Sequence, residues 1–344
     1  MKPVRFLLGL GLCLTLGAAW LTWDYSQRFL KPNVQLSESS TEFFIRSQWS
    51  FTELLQNLHK EGVITDSASF RWVATYKKFD INVQPGRYII LDGMNNNQLV
   101  NVLRSQNTPI DVLVKSARTT SELAKSVSSV LEFSEEDLMD LISNDGFCER
   151  YGFSSITIST IFIPNTYEFY WNTTAEEFME RMAREYKRYW NEDRINKTKK
   201  IGLSQSQVTI LASIVQSEQA AHSDERPIVA GLYLNRIKKG MRLESDPTLI
   251  FALGDFSIKR VLNAHKKVDS PYNTYMHSGL PPGPILLPQQ SSIDAVLNAA
   301  DHNYIFMCAK EDFSGYHYFS SNYRQHLNYA RRYQRALNQR KVYR

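Results

Sequence analysis

A glutamate ends an apolar helical stripe in the C-terminal part of this chain. Val208, Ile210, Leu211, Ile214 and Val215 recur at three- and four-residue steps, and Glu218 takes the next place, three beyond Val215 and four beyond Ile214. A carboxyl group in such a place loses hydration of its charged form, which raises its pKa toward the range where it can deliver a proton near neutral pH. Ala212, Ser213, Ala220 and Ala221 are small, so a bulky substrate could approach. The other reading is that Glu218 lies just past the buried part of the helix and is solvated, as most charged residues are. The helix alone leaves both open.

Further polar groups gather downstream. Asp224, Glu225 and Arg226 open a helix with Ile228, Val229, Leu232 and Leu234 on its apolar face; Asn235 and Arg236 stand near its end, and Gly240 terminates it. In MRLESDPT (Met241 to Thr248), Asp246 precedes a proline and reads as a turn or helix cap, with direct catalysis as the alternative. Tyr272, Asn273, Thr274 and Tyr275 precede GLPPGP (Gly279 to Pro284), whose three prolines and two glycines exclude helix and central strand and make a stiff loop. Tyrosine rings there could stack on a sugar, and the Asn273 amide could both donate to and accept from an acetamido group. A structural turn with buried tyrosines is equally open. His317 and His326 read as structural rather than catalytic. The chain has no GxSxG, SxxK, P-loop or strand-borne GxGxxG, and its seven histidines show no metal-ligand spacing. A serine hydrolase, a nucleotide enzyme and a zinc enzyme are therefore disfavoured, and neither cofactor nor metal is expected.

The elements that must position these residues follow from composition. At 344 residues, 43% apolar and 22% charged, the chain is ordinarily globular and has room for two or three domains. Phe6 to Trp23 carries no charge, follows Lys2 and Arg5, and precedes Asp24. As a helix it spans about 27 Å, close to the roughly 30 Å hydrocarbon core of a bilayer. One crossing is expected, with the N-terminus cytoplasmic and the rest outside. A cleaved signal peptide is the competing reading, since Gly17 and Ala19 resemble a cleavage site. Leu12 before Cys13 does not suit a lipoprotein cysteine, and Cys148 and Cys308 read as small buried residues. From Tyr323 onward there are seven Lys or Arg and no acid. That final helix reads as a solvated basic face, with contact to an anionic wall polymer or membrane surface as the alternative. No nucleic-acid motif is present, and no nucleic-acid partner is expected.

Leu30 to Thr41 is polar and reads as a stalk, with folding from about Glu42. Strand character at Phe43 to Ser47 is followed by a capping box, Ser50 with Glu53, ahead of Leu54, Leu55 and Leu58; Gly62 ends that helix. Helices over 67–79 and 97–104 flank a strand at 87–91. A shift of 69 residues lays Ile110 to Val127 on Thr41 to Leu58, matching Ser47 to Ser116, Glu53 to Glu122 and Leu54 to Leu123. This is a weak strand-helix repeat; modules of this kind often bind glycan in wall proteins, and ordinary α+β packing is the alternative. A helical pattern over 134–150 opens with Ser134 and Asp137, and IPNTYEFYWNTT reads as an aromatic loop before a helix at 175–190. The helix of Glu218 begins after Ser204, and strands at 304–309 and 316–320 close the domain. The expected architecture is α+β: a cytoplasmic tail (1–5), a transmembrane helix (6–23), a stalk (24–41), a strand-helix module (42–117), an intermediate α+β region (118–204) and a C-terminal α+β domain (205–344).

Taken together, LASIVQSE (Leu211 to Glu218), ERPIVAGLYLNR (Glu225 to Arg236), GMRLESDPT (Gly240 to Thr248), YNTY and GLPPGPI resemble the endolytic murein transglycosylases, the MltG or YceG-like family. The resemblance spans most of the C-terminal domain and the single N-terminal anchor matches the family; it implies that the module at 42–117 is LysM-like and that 205–344 is the catalytic transglycosylase domain. It implies that Glu218 is catalytic and that Asn235, Arg236, Asp246 and the residues Tyr272 to Tyr275 contact substrate. It further implies cleavage of nascent peptidoglycan glycan strands between N-acetylmuramic acid and N-acetylglucosamine at the outer face of the cytoplasmic membrane, beside the synthases (penicillin-binding proteins). A lytic transglycosylase uses no water, because the muramic C6 hydroxyl attacks its own C1, so one carboxyl can serve where ordinary glycosidases need two. Two positions depart from the family: Gln216 stands where an acid is frequent, and Leu287 where asparagine is. The alternatives are a muramidase with Asp246 or Glu244 as second carboxylate, and a non-catalytic wall-binding scaffold.

Overall fold

The computed structural model describes residues 2–258 and 261–340, with side chains described from residue 11 onward. Two compact units form. One comprises the chain up to Asp111 with Val130–Glu132 and Glu168–Thr173; the other comprises Val112–Ser129, Phe133–Tyr167 and the chain from Thr174 onward.

The first unit begins with α1 (Lys2–Leu30), a continuous helix of 29 residues. Among the described residues no helix is long and apolar enough to cross a membrane; of the expected span, the side chains of residues 6–10 lie outside the described set. The end of α1 belongs to the fold. Tyr25 stacks on Phe29 at 4.3 Å, and both rings meet Trp72 and Tyr76 edge-on. Within the segment expected as a stalk Asn33 and Val34 are buried in the fold, which corrects the sequence reading there. Buried Asn33 donates to Asp66 O and Asn96 Oδ1, while its own Oδ1 accepts from Thr65 and from the Asp66 N–H. Polar composition suggested solvent, but these groups find their partners inside the protein, as buried polar groups must.

A β-α-α-β module follows: β1 (Ser40–Ile45), α2 (Phe51–Lys60), α3 (Ser67–Tyr76) and β2 (Gly86–Leu91), then α4 (Asn96–Ser105). The strands pair antiparallel with Phe43 opposite Tyr88. The Ser50–Glu53 capping box is present, and it starts α2 with Leu54, Leu55 and Leu58 facing a core that includes Phe43, Ile45, Phe70, Val73 and Ile90.

Further along the chain β3 (Ile110–Val114) pairs with β4 (Asn165–Phe169), and α5 (Thr120–Ser128), α6 (Glu135–Ser143) and α7 (Asp145–Glu149) lie between them in sequence. At the expected 69-residue offset Phe51, the start of α2, falls on Thr120, the start of α5. β4 corrects the aromatic loop expected there. Tyr167 and Phe169 alternate inward with exposed Thr166 and Glu168, a period-two pattern that favours strand despite the neighbouring Pro164.

The remaining elements are α8 (Ala175–Tyr189), α9 (Glu192–Ile201), α10 (Gln205–Glu218), α11 (Arg226–Lys238), α12 (Asp246–Leu253), α13 (Gln290–Leu297), the hairpin β5 (Phe306–Ala309) with β6 (His317–Ser320), and α14 (Tyr323–Gln339). The central helix is α10, started by a Ser204–Gln207 capping box and packed on α11 and α13. Every residue from Val208 to Gln216 is buried. Burial of Val208, Leu211, Ile214 and Val215 contributes roughly 1.5–3 kcal/mol each. Of its polar members, Thr209 and Ser213 donate to carbonyls one turn back.

α11 approaches the strand-leading segment closely because Gly231 has no side chain. A Cβ there would lie 2.4 Å from the Ala300 carbonyl oxygen and 2.8 Å from His302 Nε2. Gly231→Ala should therefore cost about 1–3 kcal/mol through overpacking against backbone, lowering the urea midpoint at unchanged m-value; an unaltered midpoint would show that the Ala300 segment yields freely.

Candidate active site

Glu218 is the last residue of α10, where the helix passes from full burial to a cavity of about 530 Å³. Its Oε1 accepts two hydrogen bonds, from Tyr233 Oη at 2.7 Å and from Ser245 Oγ at 2.5 Å. Among the described residues no such donor holds Oε2. Burial raises the Glu218 pKa above its ordinary value; the bonds from Ser245 and Tyr233 oppose this, the nearby Asp246 charge adds to it, and His317 opposes it. Burial prevails. With Oε1 occupied as a double acceptor, the carboxyl proton belongs on Oε2. Tyr233 is buried, and burial together with the Glu218 charge holds its phenol far above the ordinary value, so it remains a donor.

The floor of the site is built by the segment 242–248. Ser245 is wholly buried; its N–H donates to Thr274 Oγ1 at 3.0 Å, and the Thr248 and Thr274 hydroxyls lie 2.8 Å apart. Glu244 N–H donates to Thr274 O, and Glu244 itself adopts a left-handed backbone with φ +51°. Such a conformation needs support in a residue with a Cβ. Arg236 supplies it, donating to the Arg242 and Leu243 carbonyls and to Glu244 Oε2 at 3.1 Å. Asp246 is exposed at the first helical position of α12. It caps nothing: its Oδ1 accepts from Tyr275 Oη at 2.6 Å, and Lys266 Nζ lies 4.6 Å from the centroid of that same ring. Among the described residues, no group of three or more His, Cys, Asp or Glu could hold a metal ion.

Of the residues expected at the site, Glu218, Arg236, Asp246 and Tyr275 line the cavity, as does Glu244. Four others are corrected. Asn273 is wholly buried, its amide donating to the Lys266 and Val268 carbonyls while its Oδ1 accepts from Tyr275 N–H, so nothing is left for an acetamido group. Thr274 is buried and spends its hydroxyl on Ser245 and Thr248. Asn235 donates to the His302 and Tyr304 carbonyls. Tyr272 packs on Phe251 and lines a different cavity of about 230 Å³. Asn273, Thr274 and Asn235 fix loops, and none of the four is among the residues that line the Glu218 cavity.

Sequence reasoning missed Tyr233 and Ser245, which carried no distinguishing signal within LYLNR and LESDP. It also missed Arg226, buried and donating to the Gln219 and Ala220 carbonyls and to Ser292 Oγ, which clamps the turn beyond Glu218. The two departures from the family pattern have structural reasons. Gln216 Oε1 accepts from Gln289 N–H and Ser292 Oγ while its Nε2 donates to Ser116 Oγ at 3.1 Å. Ser116 has already given its proton to Leu287 O, so a carboxylate at 216 would face an oxygen lone pair. Leu287 is buried, and its N–H donates to Ala117 O.

Comparison with known proteins gives the family. The family model described as the YceG-like family matches residues 43–332. The chain is 26% identical over 343 residues to a Bacillus subtilis (strain 168) protein named endolytic murein transglycosylase, covering 95% of this chain and 93% of that one. A Streptococcus pneumoniae (strain D39) protein of the same name is 22% identical over 80% of this chain, which spans 55% of that longer protein. The crystal structure of a YceG-like protein from Listeria monocytogenes matches with a TM-score of 0.56 and 25% identity, covering 85% of this chain and 99% of that one. With the match running from residue 43 to residue 332, well over half of the chain, the chain belongs to the YceG-like family.

Proposed function

We propose that the chain is an endolytic murein transglycosylase and that Glu218 is its general acid. The observation that carries this is the Glu218 carboxyl: Oε1 saturated by Tyr233 and Ser245, Oε2 unheld, the whole group kept protonatable by burial beside a cavity large enough for sugar rings. The relatives' name supplies the substrate. Oε2 delivers its proton to the oxygen of the departing N-acetylglucosamine as the C1–O bond breaks. The muramic C6 hydroxyl closes on C1, forming the 1,6-anhydro ring without water. Its proton needs an acceptor, and in the minimal scheme that is the Glu218 carboxylate just formed. Internal attack removes much of the entropic cost of bringing in a nucleophile. Asp246 opens on the same cavity, which favours hydrolysis as the second reading; the products separate the two.

The rest of the chain suits a wall enzyme. The module expected over 42–117, which contains most of the β-α-α-β arrangement of β1, α2, α3 and β2, is LysM-like in our reading and would hold glycan. The uncharged run Phe6 to Trp23 behind Lys2 and Arg5 is a retained single-pass anchor, which puts the catalytic unit at the outer face of the cytoplasmic membrane, beside the penicillin-binding synthases that make its substrate.

Digests of purified sacculi should contain 1,6-anhydromuramic ends, one water lighter than reducing ends, from cuts within strands. Glu218→Gln should lower the rate by roughly 100- to 10,000-fold with the melting temperature kept. Reducing ends as the main product, with Asp246→Asn as damaging as Glu218→Gln, would establish hydrolysis instead.

Because the Ser245 bond favours the charged form of Glu218, Ser245→Ala should raise the pKa of the acid further. The alkaline limb of kcat/KM, where the acid loses its proton, should then move to higher pH; a limb that stays or moves down would exclude Glu218 as the titrating acid.

Mature protein should fractionate with membranes and keep its first residues. An N-terminus at Trp20 in intact-mass measurement would overturn the anchor.

A further inference from the structure

The β5–β6 hairpin brings a second proton-handling group to the cavity. His317, the first residue of β6, lines the space that holds Glu218 and is largely enclosed, with 16% of its side chain exposed. Its Nδ1 lies 2.7 Å from Glu225 Oε2, and its backbone N–H donates to Oε1 of the same carboxylate at 2.9 Å. Glu225 accepts again from Gln219 Nε2 at 2.5 Å, and Gln219 is the residue directly after Glu218. The end of α10, the turn before α11 and the start of β6 thus meet on one buried carboxyl. Burial alone would raise Glu225, but the bonds from His317 and Gln219 outweigh it and hold the group below its ordinary value. A carboxylate can only accept, so the imidazole hydrogen lies on Nδ1, and in the neutral ring Nε2 carries the lone pair. Among the described contacts Nε2 has no protein partner. A structural histidine of a strand does not need a buried carboxylate to fix its tautomer.

We propose that His317 is a second catalytic residue, taking the proton of the attacking C6 hydroxyl on Nε2, and that Glu225 is the positioning residue that orients the ring and stabilises the imidazolium. The inference rests on the transglycosylase reading and moves the base role of the minimal scheme from Glu218 to His317. In the step, the O6–H bond breaks with its proton passing to Nε2, and the freed O6 electron pair forms the O6–C1 bond. The C1–O4 bond breaks with its pair retained by O4, which takes the proton of Glu218 Oε2. Imidazolium and carboxylate remain, and one proton passed from His317 to Glu218 through solvent restores both. No water is consumed.

The test turns on which ring atom matters. His317→Asn places an amide where Nδ1 stood and can keep the Glu225 bond, but it has no atom at Nε2. We expect it to melt like the wild type, to lose kcat by about 100-fold or more, and to hold KM within about threefold, less than the tenfold that 1.4 kcal/mol of binding represents. His317→Ala should regain turnover when free imidazole is added, which a merely structural role would not allow. Glu225→Gln should lower kcat more than it raises KM. If His317→Asn keeps more than about a third of kcat, far above the general-base range, or if imidazole rescues nothing while Glu218→Gln is inactive, the inference is wrong and the reading of Glu218 stands. If Glu218→Gln is itself active, the reading beneath both is lost.

Discussion

Glu218 must be dry enough to keep its proton and open enough to give it away, and the architecture of the second unit follows from that double demand. α10 supplies the dryness: from Val208 to Gln216 it is buried on every side, and Glu218, at its end, is where the helix meets the cavity. Two donors on one oxygen settle which oxygen stays free. Tyr233 comes from α11 and Ser245 from the segment before α12, so the protonation state of one carboxyl depends on three elements held in register. The same bonds oppose protonation, and burial has to exceed them. The site is thus balanced rather than simply apolar, which suits a group that must both release and recover a proton.

Most of the polar residues near the site hold backbone. Thr274 fixes Ser245, Arg236 fixes the left-handed turn at Glu244, Asn273 fixes the turn that presents Tyr275, and Arg226 clamps the turn beyond Glu218. Each reaches several carbonyls or N–H groups at once, which is economical where loops meet in a buried place and every polar group needs a partner. Gln216 and Leu287 belong to this framework, and their departure from the family pattern leaves the cavity lining unchanged. The residues that face the cavity come from α10, α11, the start of α12, the flanking loops, the β5–β6 hairpin and the start of α14. Placing reactive groups at the ends of rigid elements keeps their geometry fixed while the substrate surface stays free to vary.

Local pattern fixed much of this protein. Capping boxes at Ser50, Ser134 and Ser204, the glycines after α2 and α11, and the helical stripe that ends in Glu218 are short-range features with short-range causes, and the structure places those helix starts and stops where they were read. The ordered motifs of the C-terminal part identified the family before any fold was known. Tertiary structure decided the rest. Whether Asn273 binds ligand or holds its own turn depends on which carbonyls stand within 3 Å, and Lys266 and Val268 are placed there by the fold of the loop. Whether the polar segment around Asn33 is a stalk depends on Asp66 and Asn96, more than thirty residues away. Tyr233 and His317 look in sequence like one core aromatic and one strand residue, and they gain their meaning from a carboxyl on another element. A sequence states which groups a residue carries and how its own helix or strand presents them; which partners use up those groups, and which atom is left free, is set only when distant segments close around it.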